Sequence, residues 1–366
     1  MTMSPYTIRH PLSLVAQLNK SFSPPHHYRI LTNTPPLHRR QYASAPAASP
    51  DFSRLPGAKT PVGASTKIAV PRPIRQPSRE AATAALKHCV DLVKKHDSAS
   101  YLAALLMPRD CRPQVFALLA ANVEIALTRD KVSSVSTTAM YRLKFWRDTF
   151  AAIYKGEGIV PQQPVATALV AFARSSSFDL LDSLAAARQR TIGDRPFKTI
   201  DEVYAYGRDS TGALMRLQAA ALTRETSASG ADTSAFDRLA EAHALLTLVR
   251  SAGPFTLRRT VLLPEEVLVG EGLTPDNVVS GKHDKALKAA VARLVQLGEQ
   301  RLASSRELRS SVPRVARGAL WATAAQCEHV IDVAKKVDYD IRASALQRPR
   351  PLIAWRLLWW RLIGGY

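Results

Sequence analysis

Acid is missing from the start of this chain: Arg9, Lys20, Arg29, Arg39 and Arg40 all pass before Asp51, the first Asp or Glu. Ser, Thr, Pro and His fill most of the remainder, and no apolar run resembles a secretory h-region. An Arg- and Ser-rich, acid-poor leader has the composition of a mitochondrial transit peptide, whose positive charge responds to the inner-membrane potential. We expect 1–40 to be such a disordered targeting segment and 41–78, rich in Pro and Ser, to be a linker. Cysteine is also scarce. Cys89, Cys111 and Cys327 are widely separated, which fits no disulfide framework or zinc-ligand spacing. Only 16 glycines occur, and no Val/Ile/Thr alternation marks a sheet. Zinc-finger spacing, an RNP-like aromatic strand and a basic zipper are absent, so nucleic acid is not the expected partner.

What the chain does have is charge of one sign and helical periodicity. Its formal net charge of +20 points to an acidic partner, an anionic lipid surface or a negatively charged organelle interior. Hydrophobic content of 46% over 366 residues is ample for a large core. The stretch RPQVFALLAANVEIALTRD, Arg112 to Asp130, places Val115, Phe116, Leu118, Leu119, Val123, Ile125 and Leu127 at helical spacing. It predicts a nearly all-buried helix interrupted by Asn122 and Glu124. A buried Glu needs a partner, and Arg142 and Arg250 are the expected ones. Similar patterns recur to the C-terminus. Ser78 is placed to cap the first helix; Ile200 to Leu222 reads as one long helix; Ser234 opens another that Gly253-Pro254 should end near Arg250. About ten helices with short connections predict one large all-α domain over 79–348.

The final stretch, 349–366, crowds Trp355, Trp359 and Trp360 with Arg356 and Arg361. It is too short to span a bilayer. Tryptophan and arginine together suit an amphipathic helix in the headgroup zone, and these five residues are the candidate membrane contacts. Docking of the same aromatics on the bundle is the equal alternative.

The ordered series HCVDLVKKHDSASYLAALLMP, VFALLAANVEIALTRD, RLKFWRD, PQQPVATAL and RRTVLLP resembles the squalene/phytoene synthase superfamily over roughly 81–347. The similarity is greater to its mitochondrial branch, which serves assembly of respiratory complex I. The resemblance implies an all-α isoprenoid-synthase bundle. For the branch it implies complex I subunits or assembly intermediates as partners, at the matrix side of the inner membrane. Active members hold Mg²⁺ between two Asp-rich helical segments, where it neutralises a departing diphosphate.

Those segments read differently here. The first pair of family Asp positions falls on Ala126 and Asp130, with Val123 where an Arg usually precedes them. The second segment reads ALLTLVRSAGPF, so Arg250 remains while the Asp positions are Ser251 and Phe255. The resemblance thus leaves one of four ligands, and no cofactor or resident metal is expected. Candidate lining of the vestigial cavity comprises Asn122, Glu124, Tyr204, Asp209 and Ser210. Glu124 lies about 200° around the helix from Ala126 and cannot replace its ligand. His243 reads as a core or boundary residue. The expected function is a catalytically silent assembly factor. A residual prenyl-diphosphate transferase using Asp130 and an isoprenoid or lipid carrier are the rivals.

Overall fold

The computed structural model describes residues 74–130, 136–193, 195–224 and 232–366. The side chains of Arg129, Asp130 and Ser136, the proposed targeting segment and most of the proposed linker lie outside this description. Among the described residues there are fourteen α-helices and no strand.

Local chemistry sets where the helices begin. Ser78 Oγ accepts from Ala81 N at 3.2 Å and opens α1 (Arg79–His96). Asp97 then ends α1 and caps α2 (Ser98–Leu106) through Ser100 N at 3.1 Å. After a 3₁₀ turn comes α3 (Arg112–Asp130), in which Val115, Phe116, Leu118, Leu119, Val123 and Ile125 are all buried. It packs against α1 and, further on, α5 (Pro164–Phe172), α6 (Phe178–Arg190) and α8 (Ala213–Thr223). Between them α4 (Ser136–Tyr154) lies against α6, where Arg147 makes a two-pronged pair with Asp182 at 2.6 and 2.8 Å.

The predicted helix from Ile200 is not a uniform one. It runs as α7 (Ile200–Gly207), a π turn over Arg208–Gly212, and α8. Directly across it passes α9 (Ser234–Leu257), and a Cβ at Gly207 would sit 2.6 Å from the Ala240 carbonyl oxygen. Only glycine permits that crossing.

Helix α9 is buried on several sides, through Phe236, Leu239, Leu245, Leu246 and Val249, as befits a central helix. It packs most extensively on α12 (Asp284–Glu307) and also on α7 and α13 (Gly318–Lys336). Short α10 (Glu265–Gly270) and α11 (Pro275–Ser280) join α9 to α12.

One sequence expectation fails here. Gly253-Pro254 does not end α9, which continues to Leu257. Pro254 lacks the N–H that would bond the Arg250 carbonyl, but the Gln347 side-chain amide donates to that oxygen instead. Gly253 receives the Ile341 carbonyl against its Cα. The Gly-Pro pair is therefore a seat for the crossing segment 338–347, not a terminus. Beyond it, α14 (Ile353–Ile363) returns over α2 and α13.

Candidate functional site

The two segments that the resemblance sets against Asp-rich helices lie on α3 and α9. On α3, Asn122 faces α6, where Arg188 Nη2 donates to its Oδ1 at 2.7 Å. Glu124, two residues on, is half-buried near Cys89 of α1. Burial, and secondarily the Glu124 charge, push the Cys89 thiol up to about 12. Ala126 is exposed, and Asp130 closes the helix with its side chain outside the description.

On α9, Arg250, His243 and Thr247 line a pocket of about 10 Å³ against Gln326 and Cys327 of α13. That volume holds about one water molecule. The imidazole is spoken for on both sides: Nδ1 is 3.1 Å from Thr211 Oγ and Nε2 is 3.1 Å from Gln326 Oε1. Gln326 Oε1 can only accept, so Nε2 carries the proton and Nδ1 accepts from Thr211. Burial, then the Arg250 charge, hold His243 down at about 4, with Arg188 adding to the effect. The Arg250 guanidinium is itself lowered by burial and has Asp97 as an acidic neighbour. Ser251 spends its hydroxyl on its own helix, donating to Thr247 O at 2.8 Å. Phe255 carries the Arg258 guanidinium 5.8 Å from its ring centre.

A pH dependence follows from His243. Its folded pKa is depressed from 6.5, so stability is fully present above that value and falls as pH drops toward 4. Acidifying from about pH 8 to about 5 should remove roughly 2 kcal/mol. Denaturant titrations of His243→Asn should lack this component. A parallel loss in the variant would mean His243 does not resist protonation.

The other candidate residues do not gather at one surface. Asp209 pairs with Arg190, while Tyr204 and Ser210 are buried in helix packing. Ser210 donates to Tyr206 O at 2.5 Å across the π turn. Arg301 of α12 lies over the Tyr204 ring, 4.4 Å from its centre. The same Arg301 reaches Glu241, a residue the sequence reading passed over. Glu241 is buried and receives Arg208 at 2.5 Å, Arg238 at 3.0 Å and Arg301 at 3.3 Å. One turn earlier, Asp237 holds Arg216 at 2.6 Å. The Asp237–Glu241 spacing was visible in FDRLAE, but only the fold reveals its guanidinium partners. Among the described residues no group of three or more His, Cys, Asp or Glu is placed to hold a metal ion.

Residues 93–356 match the family described as squalene/phytoene synthase. The chain belongs to the squalene/phytoene synthase family. It is similar in fold to squalene synthase HpnC from Alicyclobacillus acidocaldarius, with a TM-score of 0.62 at 17% identity over 72% of this chain and 97% of that one. A ligand-bound dehydrosqualene synthase gives 0.65 at 17% identity, covering 78% and 97% respectively. At that identity the likeness speaks to fold. Among curated family relatives, mouse "NADH dehydrogenase (ubiquinone) complex I, assembly factor 6" is 27% identical over 73% of this chain and 78% of its own length. The human protein of that name is equally similar, and the Drosophila melanogaster homolog is 26% identical over 76% and 84%.

At the C-terminus, α14 divides the predicted membrane contacts between two faces. Trp360 is buried, and Arg356 turns inward to Glu328 at 2.7 Å. Those two are bundle contacts because α14 needs an apolar and ion-paired face to dock. Trp355, Trp359 and Arg361 remain exposed. No helix among the described residues is long and apolar enough to cross a membrane.

Proposed function

We propose that this protein is a mitochondrial complex I assembly factor: a synthase-shaped scaffold that has given up isoprenoid condensation and works at the matrix face of the inner membrane. The observation that carries the loss of chemistry is the second segment. Magnesium at such a site is held by carboxylate oxygens together with substrate phosphate. Ser251 directs its hydroxyl to its own backbone, Phe255 has no ligand atom, and the charge beside them is the Arg250 guanidinium. Arg250 is a residue the family pattern keeps; what this segment no longer offers a cation is an anionic ligand beside it. Ser251 and Phe255 therefore do not fit the metal.

The name shared by the relatives, complex I assembly factor 6, suggests the process, and the acid-poor leader supports import. What this leaves is a rigid helical body that holds a complex I subunit or assembly intermediate.

Complexome profiling of mitochondria lacking the gene should show loss of mature complex I and accumulation of a subassembly. Reintroduced wild-type protein, and equally an Asp130→Ala variant, should restore it. An unaltered respiratory chain in the deletion would remove the assembly function. Purified protein incubated with farnesyl diphosphate and Mg²⁺ should release no condensed product; Asp130-dependent product formation would favour the transferase.

A further inference from the structure

We propose that the outer face of α14 and the neighbouring turn at Val315 form a single dock for an acidic phospholipid surface. This rests on the membrane location in the preceding reading and gives it a defined surface and a lipid class.

Leu352, Trp355, Trp359, Leu362 and Ile363 are all at least half exposed, Leu352 and Leu362 by more than 70%. Trp355, Trp359 and Ile363 follow one another at i, i+4, with Leu362 at i+3 from Trp359, so they share one helix face. Val315, 48% exposed, lies in the turn leading into α13. That turn adjoins the end of α14: Arg317 Nη1 donates to Gly364 O at 2.6 Å, and Arg314 Nε lies beside Gly364. The turn that carries exposed Val315 and Arg314 thus lies at the end of the helix that carries the apolar face, a neighbourhood the C-terminal sequence alone could not indicate.

The opposite face of α14 is fastened. Leu357 and Trp360 are buried, and Glu328 accepts from Arg306, Arg350 and Arg356 at 2.5, 2.8 and 2.7 Å. Burial pushes the Glu328 carboxyl up, but hydrogen bonds from Arg356, Arg306 and Arg350 outweigh it and hold it below its usual value. At the end of the helix Trp321 Nε1 donates to Gly365 O at 3.0 Å, and the Tyr366 hydroxyl donates to Ser305 O at 2.8 Å. Helix α14 therefore cannot roll its exposed tryptophans inward without breaking these bonds.

Charge selects the occupant. Exposed Arg309 and Arg314 stand at the end of α14 where the apolar face stops, with Arg317 beside them. After Asp340 the chain has no Asp or Glu at all. Tryptophans at the level of headgroups, with arginines reaching phosphate oxygens, match an acidic bilayer surface. A second copy of this chain would bring the same positive end against itself.

The test uses the full chain with vesicles of phosphatidylcholine alone or containing about one third phosphatidylserine. Flotation should show at least roughly tenfold stronger partitioning to the acidic vesicles. Trp355→Ser with Trp359→Ser should lower it more than about tenfold and abolish fluorescence quenching by brominated acyl chains; buried Trp146 and Trp321 should stay unquenched. Arg309→Glu with Arg314→Glu should lower partitioning about tenfold on acidic vesicles only. Unchanged melting temperatures would establish that both variants fold, and a variant that does not would be replaced by Leu362→Ser with Ile363→Ser. Equal partitioning to both vesicles, or partitioning indifferent to the exposed-face variants, would overturn the dock. So would a dimer that the tryptophan variants dissociate, which would assign the face to a second copy. The assay contains only protein and lipid, so its failure leaves the assembly reading to the complexome experiment, and the converse holds.

Discussion

Glu241→Ala should destabilise the fold by about 3 kcal/mol, at the lower end of the range for breaking a buried ion pair. The reason lies in the uneven burial of the partners. Glu241 is essentially inaccessible, with 2% of its side chain exposed, whereas Arg208, Arg238 and Arg301 are 30–41% exposed. Removing the acid deletes three charge-assisted contacts and leaves a void, but the guanidiniums can turn to water and recover part of their hydration. Removing one arginine has the opposite geometry, because the buried carboxylate then keeps two partners. Arg208→Ala should therefore cost less, about 1–2 kcal/mol. Urea unfolding of both variants would check the order. If Arg208→Ala proved the worse of the two, the sharing of Glu241 among three helical segments would be wrong. The clamp matters to the site because it joins the π turn, α9 and α12, and so sets the position from which α9 presents His243 and Arg250.

How much of this was legible beforehand divides along physical lines. Helix starts were, because Ser78 and the apolar repeat of α3 act within a few residues of chain. So was the all-α architecture, and the family was indicated by the resemblance of an ordered series of sequence stretches, from HCVDLVKKHD to RRTVLLP. The continuation of α9 through Pro254 was not. The missing backbone bond is replaced by Gln347, nearly a hundred residues away, and no local rule contains that partner. The π turn was hidden for a similar reason: Gly207 and Gly212 look like weak helix positions until Ala240 is seen against both. Asn122 could be singled out as a polar interruption, yet its partner Arg188 needed the fold. In α14 the composition announced an amphipathic helix without saying which tryptophan faced in. Glu328 decides that, by drawing Arg356 and with it Trp360 toward α13.

Gly253→Ala should cost about 3 kcal/mol and lower the melting temperature by roughly 5–10 °C. The added Cβ would lie 2.1 Å from the Ile341 carbonyl oxygen and 3.1 Å from its carbon. Both are backbone atoms, so no rotamer change relieves the clash; either α9 or the crossing segment must move. That segment is held on several sides. Lys288 pairs with Asp338 at 3.0 Å, Arg342 with Asp284 at 3.2 Å, and Ile341 is 2% exposed. Gln347 is bonded to the Arg250 carbonyl, so a shift of 338–347 also unseats the bond that Pro254 makes necessary. Gly270→Ala is the matched control, since its Cβ would meet only the movable Arg293 guanidinium at 3.2 Å, and it should change stability by less than about 0.5 kcal/mol. Differential scanning calorimetry distinguishes the two, and equal melting points would mean that the segment does not rest on Gly253. The expected strain falls on the turn of α9 that carries Arg250 and Ser251. If the protein works as a shaped body, Gly253→Ala should therefore impair complex I assembly without touching a ligand atom.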